Sequence, residues 1–311
     1  MTARVDAGPQ RPSGLRPPVV ARTRSEVADA LAQTRARGGR VALVPTMGAL
    51  HEGHASLMRE AARHCGPDDA VVVSIFVNPL QFGPDEDLST YPRTFDADLE
   101  VCAREGVTVV FAPSLDEVYP SGEPQVTIEP GPLARILEGK TRPTHFRGVL
   151  TVVAKLFGLV APDLAVFGNK DYQQLVLIKA MVVDLCMGID VIGAEIVREP
   201  SGLALSSRNS YLDGDQKTLA LSLSRALHAG AEAAEAGAEH ALAAARAVLE
   251  ADDARGIAVD YLELTAPDLG PAPETGAARL LIAARVGSTR LIDNTALFVG
   301  TALGTAEQGS N

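Results

Sequence analysis

Cysteine is scarce in this sequence. The three cysteines, Cys65, Cys102 and Cys186, are odd in number and far apart along the chain. This spacing argues against a disulfide framework and against a four-cysteine zinc site. Cysteine usage of this kind favours a protein of the reducing cytoplasm.

Basic residues and long apolar runs are also in short supply. Against 39 acidic residues there are 28 basic ones, which gives a net charge of −11. This balance argues against broad binding of nucleic acids or anionic membranes, but it leaves room for a local basic pocket. The most apolar stretch, residues 149–167, is interrupted by Lys155, Pro162 and Asp163. It therefore predicts a buried helix followed by a strand rather than a membrane span.

The length of 311 residues predicts about two domains. We expect a Rossmann-like domain over residues 19–197 and a smaller α+β lid domain over residues 198–311. Residues 1–18 contain four prolines and three arginines but lack the apolar segment of a secretory signal. For these residues we expect a disordered extension, with a transit peptide as the alternative.

The first two-thirds of the chain alternates short apolar runs with helical patterns. The apolar runs cover residues 41–44, 70–77, 107–111, 164–167 and 191–197. Continuous apolar strands separated by helices are typical of a parallel, doubly wound sheet. The predicted fold class is therefore α/β.

The pattern changes after about residue 200. Residues 215–250 are rich in Ala, Leu and Glu, which predicts helix, with breaks at Gly230 and Gly237. Three strand-like segments follow, over residues 259–264, 279–284 and 289–293. A loose tail is expected over residues 303–311.

Polar residues gather just after the predicted strands. The segments concerned are residues 46–54, 78–81, 168–174 and 198–209. In open α/β sheets, ligands bind beyond the carboxyl ends of the strands. The sequence therefore predicts an active site built from these segments.

The most specific local pattern is His-x-Gly-His between a predicted strand and a predicted helix. His51 and His54 are three residues apart, and Gly48 and Gly53 would allow the backbone to approach a ligand closely. The start of the following helix offers free N–H groups to an anion. The alternative is a pair of surface or capping histidines. Zinc is a weaker interpretation, because the metalloprotease pattern needs histidines four apart on a formed helix.

Longer strings in this sequence resemble one family. The His-x-Gly-His element resembles that of the nucleotidylyltransferase superfamily. Six strings, in that order, are similar to the pantothenate synthetase (pantoate–β-alanine ligase) family, over about residues 20–300. They are Val44-Pro-Thr-Met-Gly-Ala-Leu-His-Glu-Gly-His54, Ser74-Ile-Phe-Val-Asn-Pro-Leu-Gln-Phe82, Tyr91-Pro-Arg-Thr94, Arg142-Pro-Thr-His-Phe-Arg-Gly148, Lys170-Asp-Tyr-Gln-Gln174 and Leu205-Ser-Ser-Arg-Asn209.

The resemblance implies an activity and a set of binding residues. This family joins (R)-pantoate to β-alanine with ATP as co-substrate, through a pantoyl-adenylate, and releases AMP and pyrophosphate. The implied ATP-binding residues are Met47, Gly48, His51, Gly53, His54, Gly168, Asn169, Lys170, Asp171, Val197, Leu205, Ser206, Ser207 and Arg208. The implied substrate-binding residues are Gln81, Gln174, Asn78 and Tyr91.

The resemblance also implies His51, His54, Lys170 and Arg208 as the catalytic set, acting on phosphates. It further implies Mg²⁺, with Asp98 as its candidate ligand, and a homodimer. The cytoplasm and the absence of nucleic-acid or membrane partners are expected from the cysteine usage and the net charge. Three residues depart from the family pattern: Asn169 replaces an acid, Leu205 replaces a methionine, and Ala97 interrupts an acidic run.

Each assignment has a structural alternative. Gln81 could cap a strand end, Lys170 and Asp171 could be a solvated pair at a helix start, and residues 206–208 could form a polar turn. Asp98, like Asp96, could simply favour the dipole at a helix start. His145 and Arg147 are interpreted as loop residues without assigned chemistry.

Two other functions compete with the ligase. One is a nucleotidylyltransferase that leaves the nucleotide on its product, acting on another small acid or phosphate. The other is a catalytically silent nucleotide-binding module. The presence of all four candidate catalytic residues argues against the silent module.

Overall fold

The computed structural model of the protein describes residues 17–83, 86, 88–253 and 256–301. Most of the predicted extension (1–18) and the predicted tail (303–311) lie outside the described residues. The strands are β1 (Val19–Ala21), β2 (Val41–Thr46), β3 (Ala70–Ile75), β4 (Val109–Phe111), β5 (Leu164–Gly168), β6 (Asp190–Ala194), β7 (Ile257–Thr265), β8 (Gly276–Val286) and β9 (Thr289–Val299). The helices are α1 (Arg24–Ala36), α2 (Glu52–Arg63), α3 (Phe95–Arg104), α4 (Leu115–Val118), α5 (Leu137–Thr141), α6 (His145–Val160), α7 (Tyr172–Asp184), α8 (Gly214–Ala233) and α9 (Ala238–Asp253).

Within the described residues, six parallel strands form a sheet in the order β1-β4-β3-β2-β5-β6. From β2 the chain runs outward to β3 and β4 and then returns to place β5 on the other side of β2, where Ala42 pairs with Leu164. The direction of winding therefore reverses between β2 and β5. Such a reversal opens a crevice at the carboxyl ends of the two strands. The predicted α/β, doubly wound fold is confirmed.

Side chains of the sheet alternate between two apolar layers, as the two-residue period of a strand requires. In β2, Val41 and Leu43 pack with α1, α6 and α7, whereas Ala42 and Val44 pack with α2 and α3. Both faces of the central strands β2, β3 and β5 are mostly buried, which explains their nearly continuous apolar runs. The short strand β1 was not predicted; it has only three residues and Val19 is exposed.

The carboxyl-terminal part of the described chain has three antiparallel strands in the order β7-β8-β9, covered by α8 and α9. The predicted helix break at Gly230 is wrong, because α8 continues through it. A Cβ there would lie 2.5 Å from Leu280 Cδ2, so this glycine permits close packing of the helix on β8. The break falls at Gly237, whose φ is 114°.

Contacts of β9 and β7 join the two sheets. Arg198 forms two hydrogen bonds with Asp293 of β9, at 2.6 and 2.9 Å. Glu138 of α5 accepts hydrogen bonds from Arg290 and from Tyr261. The domain boundary at residue 198 stays a prediction. In the described part of the chain, no helix is both long and apolar enough to cross a membrane.

Candidate active site

One cavity of about 250 Å³ lies beyond the carboxyl ends of β2, β3, β5 and β6. It brings together residues that are far apart in sequence, including both histidines of the His-x-Gly-His element and the predicted cations. The predicted site residues that line it are Met47, His51, Gly53, His54, Gln81, Tyr91, Gly168, Lys170, Asp171, Gln174, Val197, Leu205, Ser206, Ser207 and Arg208. Gly48, Asn78, Asp98 and Asn169, also predicted, do not line it.

The two histidines cap helix α2 and line the cavity at the same time. His51 is the N-cap residue, and its Nδ1 accepts a hydrogen bond from the Gly53 N–H at 3.1 Å. In return, His54 Nδ1 accepts a hydrogen bond from the His51 N–H at 3.2 Å. The ring centroids are 4.2 Å apart. Capping and ligand binding are therefore compatible roles for this pair.

This reciprocal capping determines which ring nitrogen carries the proton. In each neutral imidazole, Nδ1 acts as the acceptor, so Nε2 carries the hydrogen. Burial, and then the nearby Lys170 charge, lower the pKa of His51. Burial lowers the pKa of His54 to about 3, with His51 and Lys170 adding to the effect and Asp171 opposing it. Both rings are therefore neutral Nε2–H donors near neutral pH.

The carboxylate of Asp98 binds the backbone of the loop before α2. Its oxygens accept hydrogen bonds from the backbone N–H groups of Ala49 (3.1 Å) and Leu50 (2.8 Å), and from the Thr94 hydroxyl. Gly48 has a φ of +81°, and a Cβ there would lie 2.9 Å from Asp98 Oδ2. Gly48 and Asp98 thus shape the loop from outside the cavity.

This position argues against the prediction that Asp98 binds Mg²⁺, which stays a prediction. Its side chain is buried, and both oxygens are occupied by donors of the protein itself. Among the residues that the structure describes, no three His, Cys, Asp or Glu side chains form a group able to hold a metal. The acidic side chains that do line the cavity are Asp171 and Glu195.

A chain of hydrogen bonds orients the Gln81 amide. Tyr119 donates to Asn78 Oδ1 at 2.9 Å, and Asn78 Nδ2 donates to Gln81 Oε1 at 3.2 Å. Gln81 Nε2 then points toward Met47 Sδ, at 2.9 Å. Asn78, predicted to contact substrate, is instead a buried support for Gln81. The chain thus fixes which end of the Gln81 amide carries the donor, and this Nε2 faces Met47, another residue of the cavity lining.

Helix α6 supplies a cavity wall that the sequence patterns did not reveal. Its apolar face contributes Val149, Val152, Val153 and Leu156. The spacing of these residues, three and four apart, was visible in the sequence but indicates burial and pocket lining equally well.

His145, the first residue of α6, also lines the cavity, although it was interpreted as a loop residue. Its Nδ1 donates to the Gln81 carbonyl at 2.9 Å. Burial, and then the Arg142 charge, lower the pKa of His145 to about 4. Nδ1 therefore carries the hydrogen, and Nε2 of the neutral ring is an acceptor. Arg142 lines the cavity as well and is paired with Glu86.

Lys170 lies on a short 3-10 turn, Asn169–Asp171, directly after β5. Asn169 is not part of the cavity lining: its Nδ2 donates to Glu195 Oε1 at 3.3 Å, and its side chain packs on Gly193 of β6. Asn169 as an ATP-binding residue stays a prediction.

The loop after β6 folds back as a small hairpin before reaching the cavity. Leu205 N–H donates to the Val197 carbonyl at 2.9 Å, and Ser206 caps the short 3-10 turn that carries Arg208. The Leu205 N–H is thus used within the hairpin, whereas the Val197 carbonyl, with two lone pairs, can accept a second hydrogen bond.

Comparison with known proteins gives a consistent result. The model of the family described as "Pantoate-beta-alanine ligase" matches residues 19–296. A "Pantothenate synthetase" of Nocardioides sp. is 64% identical over 292 residues, covering 91% of this chain and 86% of that protein.

Solved structures agree with the sequence comparisons. A crystal structure of pantothenate synthetase from Thermus thermophilus is similar with a TM-score of 0.82 and 44% identity, covering 89% of this chain and 98% of that one. A pantoate-beta-alanine ligase from Francisella tularensis, complexed with beta-gamma ATP and beta-alanine, is similar with a TM-score of 0.72 and 34% identity, covering 89% and 97%.

Proposed function

This chain belongs to the pantoate–β-alanine ligase family and joins pantoate to β-alanine, and we propose that it does so through a pantoyl-adenylate made from ATP in the cavity described above. One observation supports the proposal above the others. The neutral histidine pair at the start of α2, Lys170, Arg208 and the two glutamines line a single cavity.

The first step needs positive charge more than it needs a base. A carboxylate oxygen of pantoate attacks the α-phosphorus of ATP, the bond to the β-phosphate oxygen breaks, and pyrophosphate leaves. Both reactants are anions, so their approach must be neutralised. In a chain of net charge −11, Lys170, Arg208 and the amino-terminal end of α2 concentrate positive charge at this cavity.

The histidines add directed donors to that charge. As neutral Nε2–H groups, His51 and His54 would donate to phosphate oxygens without adding a charge that titrates near neutral pH. Ser206, Ser207 and Arg208 would hold the departing pyrophosphate. Gly168 and Asp171 would hold the ribose, backbone groups of Val197 and Leu205 would meet the adenine, and Met47 would line the ATP site.

Pantoate would bind where Gln81, Gln174 and the apolar face of α6 line the cavity. Gln81 and Gln174 would hold its hydroxyl and carboxylate oxygens, beside Tyr91. The α6 wall, which includes Val149 and Val152, offers an apolar surface to the two methyl groups of pantoate. Polar and apolar halves of this small acid thus each have a matching surface.

The second step needs no protein nucleophile. The β-alanine amine attacks the carbonyl carbon of the pantoyl-adenylate, the carbon–oxygen bond to AMP breaks, and the amine loses a proton. Because the mixed anhydride reacts with water, a site closed by the carboxyl-terminal part of the chain is an advantage.

Mg²⁺ is proposed as a companion of ATP rather than as an ion resident in the protein. This ion is commonly held by substrate phosphates, waters and one or two carboxylates. The absence of a three-ligand cluster among the described residues fits that mode, with Asp171 and Glu195 as the available acids. When bound, the ion would neutralise charge on the phosphates.

A homodimer is also proposed on the family resemblance, and a cytoplasmic location on the cysteine usage. Light scattering coupled to size-exclusion chromatography tests the dimer, and a monomeric mass at micromolar concentration would contradict it. Fractionation of cells producing the full chain tests the location.

Product analysis with ATP, pantoate and β-alanine tests the reaction. AMP and pantothenate should form only when both organic substrates are present, and pantoate alone should support exchange of pyrophosphate into ATP. A nucleotidylated product that accumulates would favour the nucleotidylyltransferase alternative instead. Absence of exchange under conditions of good turnover would contradict the adenylate order.

Lys170→Ala tests the role of the cation. Removing one charge contact to the transition state costs about 10²- to 10³-fold in rate, so pyrophosphate exchange should fall by at least about 10²-fold. Near-normal single-turnover adenylation by this variant would remove Lys170 from the mechanism.

A further inference from the structure

Two adjacent residues of β9 contact segments that carry the cations of the cavity. Asp293 is 3% and Asn294 is 2% exposed, and both belong to the carboxyl-terminal sheet. Asn294 contacts the turn that carries Lys170, and Asp293 contacts Arg198 at the start of the loop that carries Arg208. The second sheet thus reaches the phosphate-binding side of the first.

Asn294 holds the Lys170 turn by its backbone. Its Nδ2 donates to the Asn169 carbonyl at 2.9 Å and to the Lys170 carbonyl at 3.0 Å. Since both partners are acceptors, only the NH₂ group can face them, and the orientation of the amide is determined. Its buried Oδ1 has no hydrogen-bond partner among the described residues. The side-chain hydrogen bonds of Asn294 are therefore those that its NH₂ group donates to the Lys170 turn.

Asn294 is itself held by the neighbouring carboxylate. Asp293 Oδ1 accepts from the Asn294 N–H at 2.8 Å. The same carboxylate binds the Arg198 guanidinium through both oxygens, at 2.6 and 2.9 Å, a geometry that restricts rotation. Arg198 also donates to the Gly202 carbonyl at 3.1 Å. We call Arg198, Asp293 and Asn294 the β9 clasp.

We propose that Asn294, held in place by the other two residues of the β9 clasp, is a positioning residue for Lys170. The proposal rests on the proposed role of Lys170 at the phosphates of ATP. The two carbonyls that Asn294 binds belong to the two peptide units that flank the Cα of Lys170. Their positions therefore determine where the Lys170 side chain leaves the backbone. A displacement of this kind by about 1 Å can lower a rate by about 10²-fold.

A merely structural role makes a different prediction. Loss of packing would reduce the amount or stability of folded protein and would lower every activity in proportion. A positioning role acts only through Lys170, so its effect must disappear when the Lys170 ammonium is absent. A double-mutant cycle between the two residues separates the two roles.

The test measures pantoate-dependent pyrophosphate exchange in the full chain for four proteins: wild type, Asn294→Ala, Lys170→Ala and the double variant. We expect Asn294→Ala to lower exchange by at least about tenfold in the wild-type background and by less than about twofold in the Lys170→Ala background. A tenfold loss in both backgrounds overturns the proposal, as does near-normal exchange by Asn294→Ala.

Other outcomes separate this proposal from the proposed function. If Lys170→Ala exchanges pyrophosphate normally, the role of Lys170 fails and the positioning role fails with it. If Lys170→Ala is impaired but Asn294→Ala is not, only the positioning role fails.

Ser222→Ala is the matched control. Ser222 is a fully buried residue of α8 that donates to Asp252, so this variant also loses a buried hydrogen bond of the carboxyl-terminal part. It should lower the melting temperature without changing the KM for ATP. Where Asn294→Ala does not fold, Asn294→Ser replaces it in the cycle, because a hydroxyl keeps one donor. Its exchange rate should then lie between those of wild type and Lys170→Ala, and a wild-type rate overturns the proposal.

Discussion

Acid should destabilise this protein in part through one histidine. His54 is neutral in the folded chain because burial, and then the charges of His51 and Lys170, lower its pKa from 6.5 to about 3. A buried histidine with a lowered pKa leaves the free energy of unfolding at its full value while the pH is above the pKa of the unfolded histidine. Part of that free energy is lost as the pH falls from 6.5 toward the folded pKa, because the unfolded chain binds the proton first.

The size of the effect follows from the two pKa values. A pH of 5 is about 1.5 units below the pKa of the unfolded imidazole, which is therefore protonated, whereas the folded imidazole is still neutral. At about 1.4 kcal/mol per unit, the free energy of unfolding should fall by about 2 kcal/mol between pH 8 and pH 5 through His54 alone.

The assay is urea unfolding at pH 8 and pH 5, followed by circular dichroism, for wild type and His54→Asn. Asparagine keeps an acceptor for the His51 N–H but cannot titrate, so this variant should lose about 2 kcal/mol less than wild type. Other titrating groups contribute to both proteins and cancel in the difference. His228→Asn, at an exposed position of α8, should behave as wild type. Equal losses in wild type and His54→Asn would refute the reasoning.

Three further variants test the architecture around the histidines. Gly53→Ala should lower adenylation by about tenfold or more, measured by pyrophosphate exchange, because a Cβ would lie 2.8 Å from His51 Cε1 and displace that ring. Tyr119→Phe removes the first donor of the chain that orients Gln81, so the KM for pantoate should rise by about 2- to 10-fold while the KM for ATP stays constant. Asp98→Asn should lower the melting temperature and the rate, but leave the Mg²⁺ concentration for half-maximal rate unchanged, because the carboxylate holds a loop.

Matched controls make these outcomes decisive. Gly158→Ala, on an exposed turn of α6 with open space around it, should leave adenylation intact. Tyr172→Phe loses a hydrogen bond to the Pro267 carbonyl and should not change the KM for pantoate. Asp96→Asn, at an exposed position in the first turn of α3, should match wild type. If an Asp98 variant needs much more Mg²⁺ than wild type, Asp98 is a metal ligand after all.

The fold class was predictable because it depends on local, repeated signals. The apolar runs of β2, β3 and β5 are too short for helices and nearly continuous, with Thr46 and Ser74 as exceptions, which indicates strands buried on both faces. The His51 and His54 pair was equally visible, because reciprocal capping requires a spacing of three residues. Gly230 was misjudged because helix propensity does not report that β8 packs against it.

The residues of the candidate site that lie in the family-like strings were predictable from the sequence. The roles that depend on contacts between distant residues were not. Asp98 resembles a metal ligand in sequence, yet hydrogen bonds to residues 48 and 49 positions away make it a loop anchor. His145 joined the cavity only because α6 begins beside Gln81, 64 positions earlier. Its environment could not be deduced from its neighbours in sequence.

Residue spacing alone was enough to identify strands, helices, the capped histidine pair and the family. It could not say that Asn294 would bind the Lys170 turn from 124 positions away, or that Asn78 and Asn169 would hydrogen-bond to residues of the cavity lining without lining it themselves. The physical reason is that periodicity and capping are properties of a few consecutive residues. Which side chains meet depends instead on strand order and on the packing of two sheets, and no short segment of the chain contains that information.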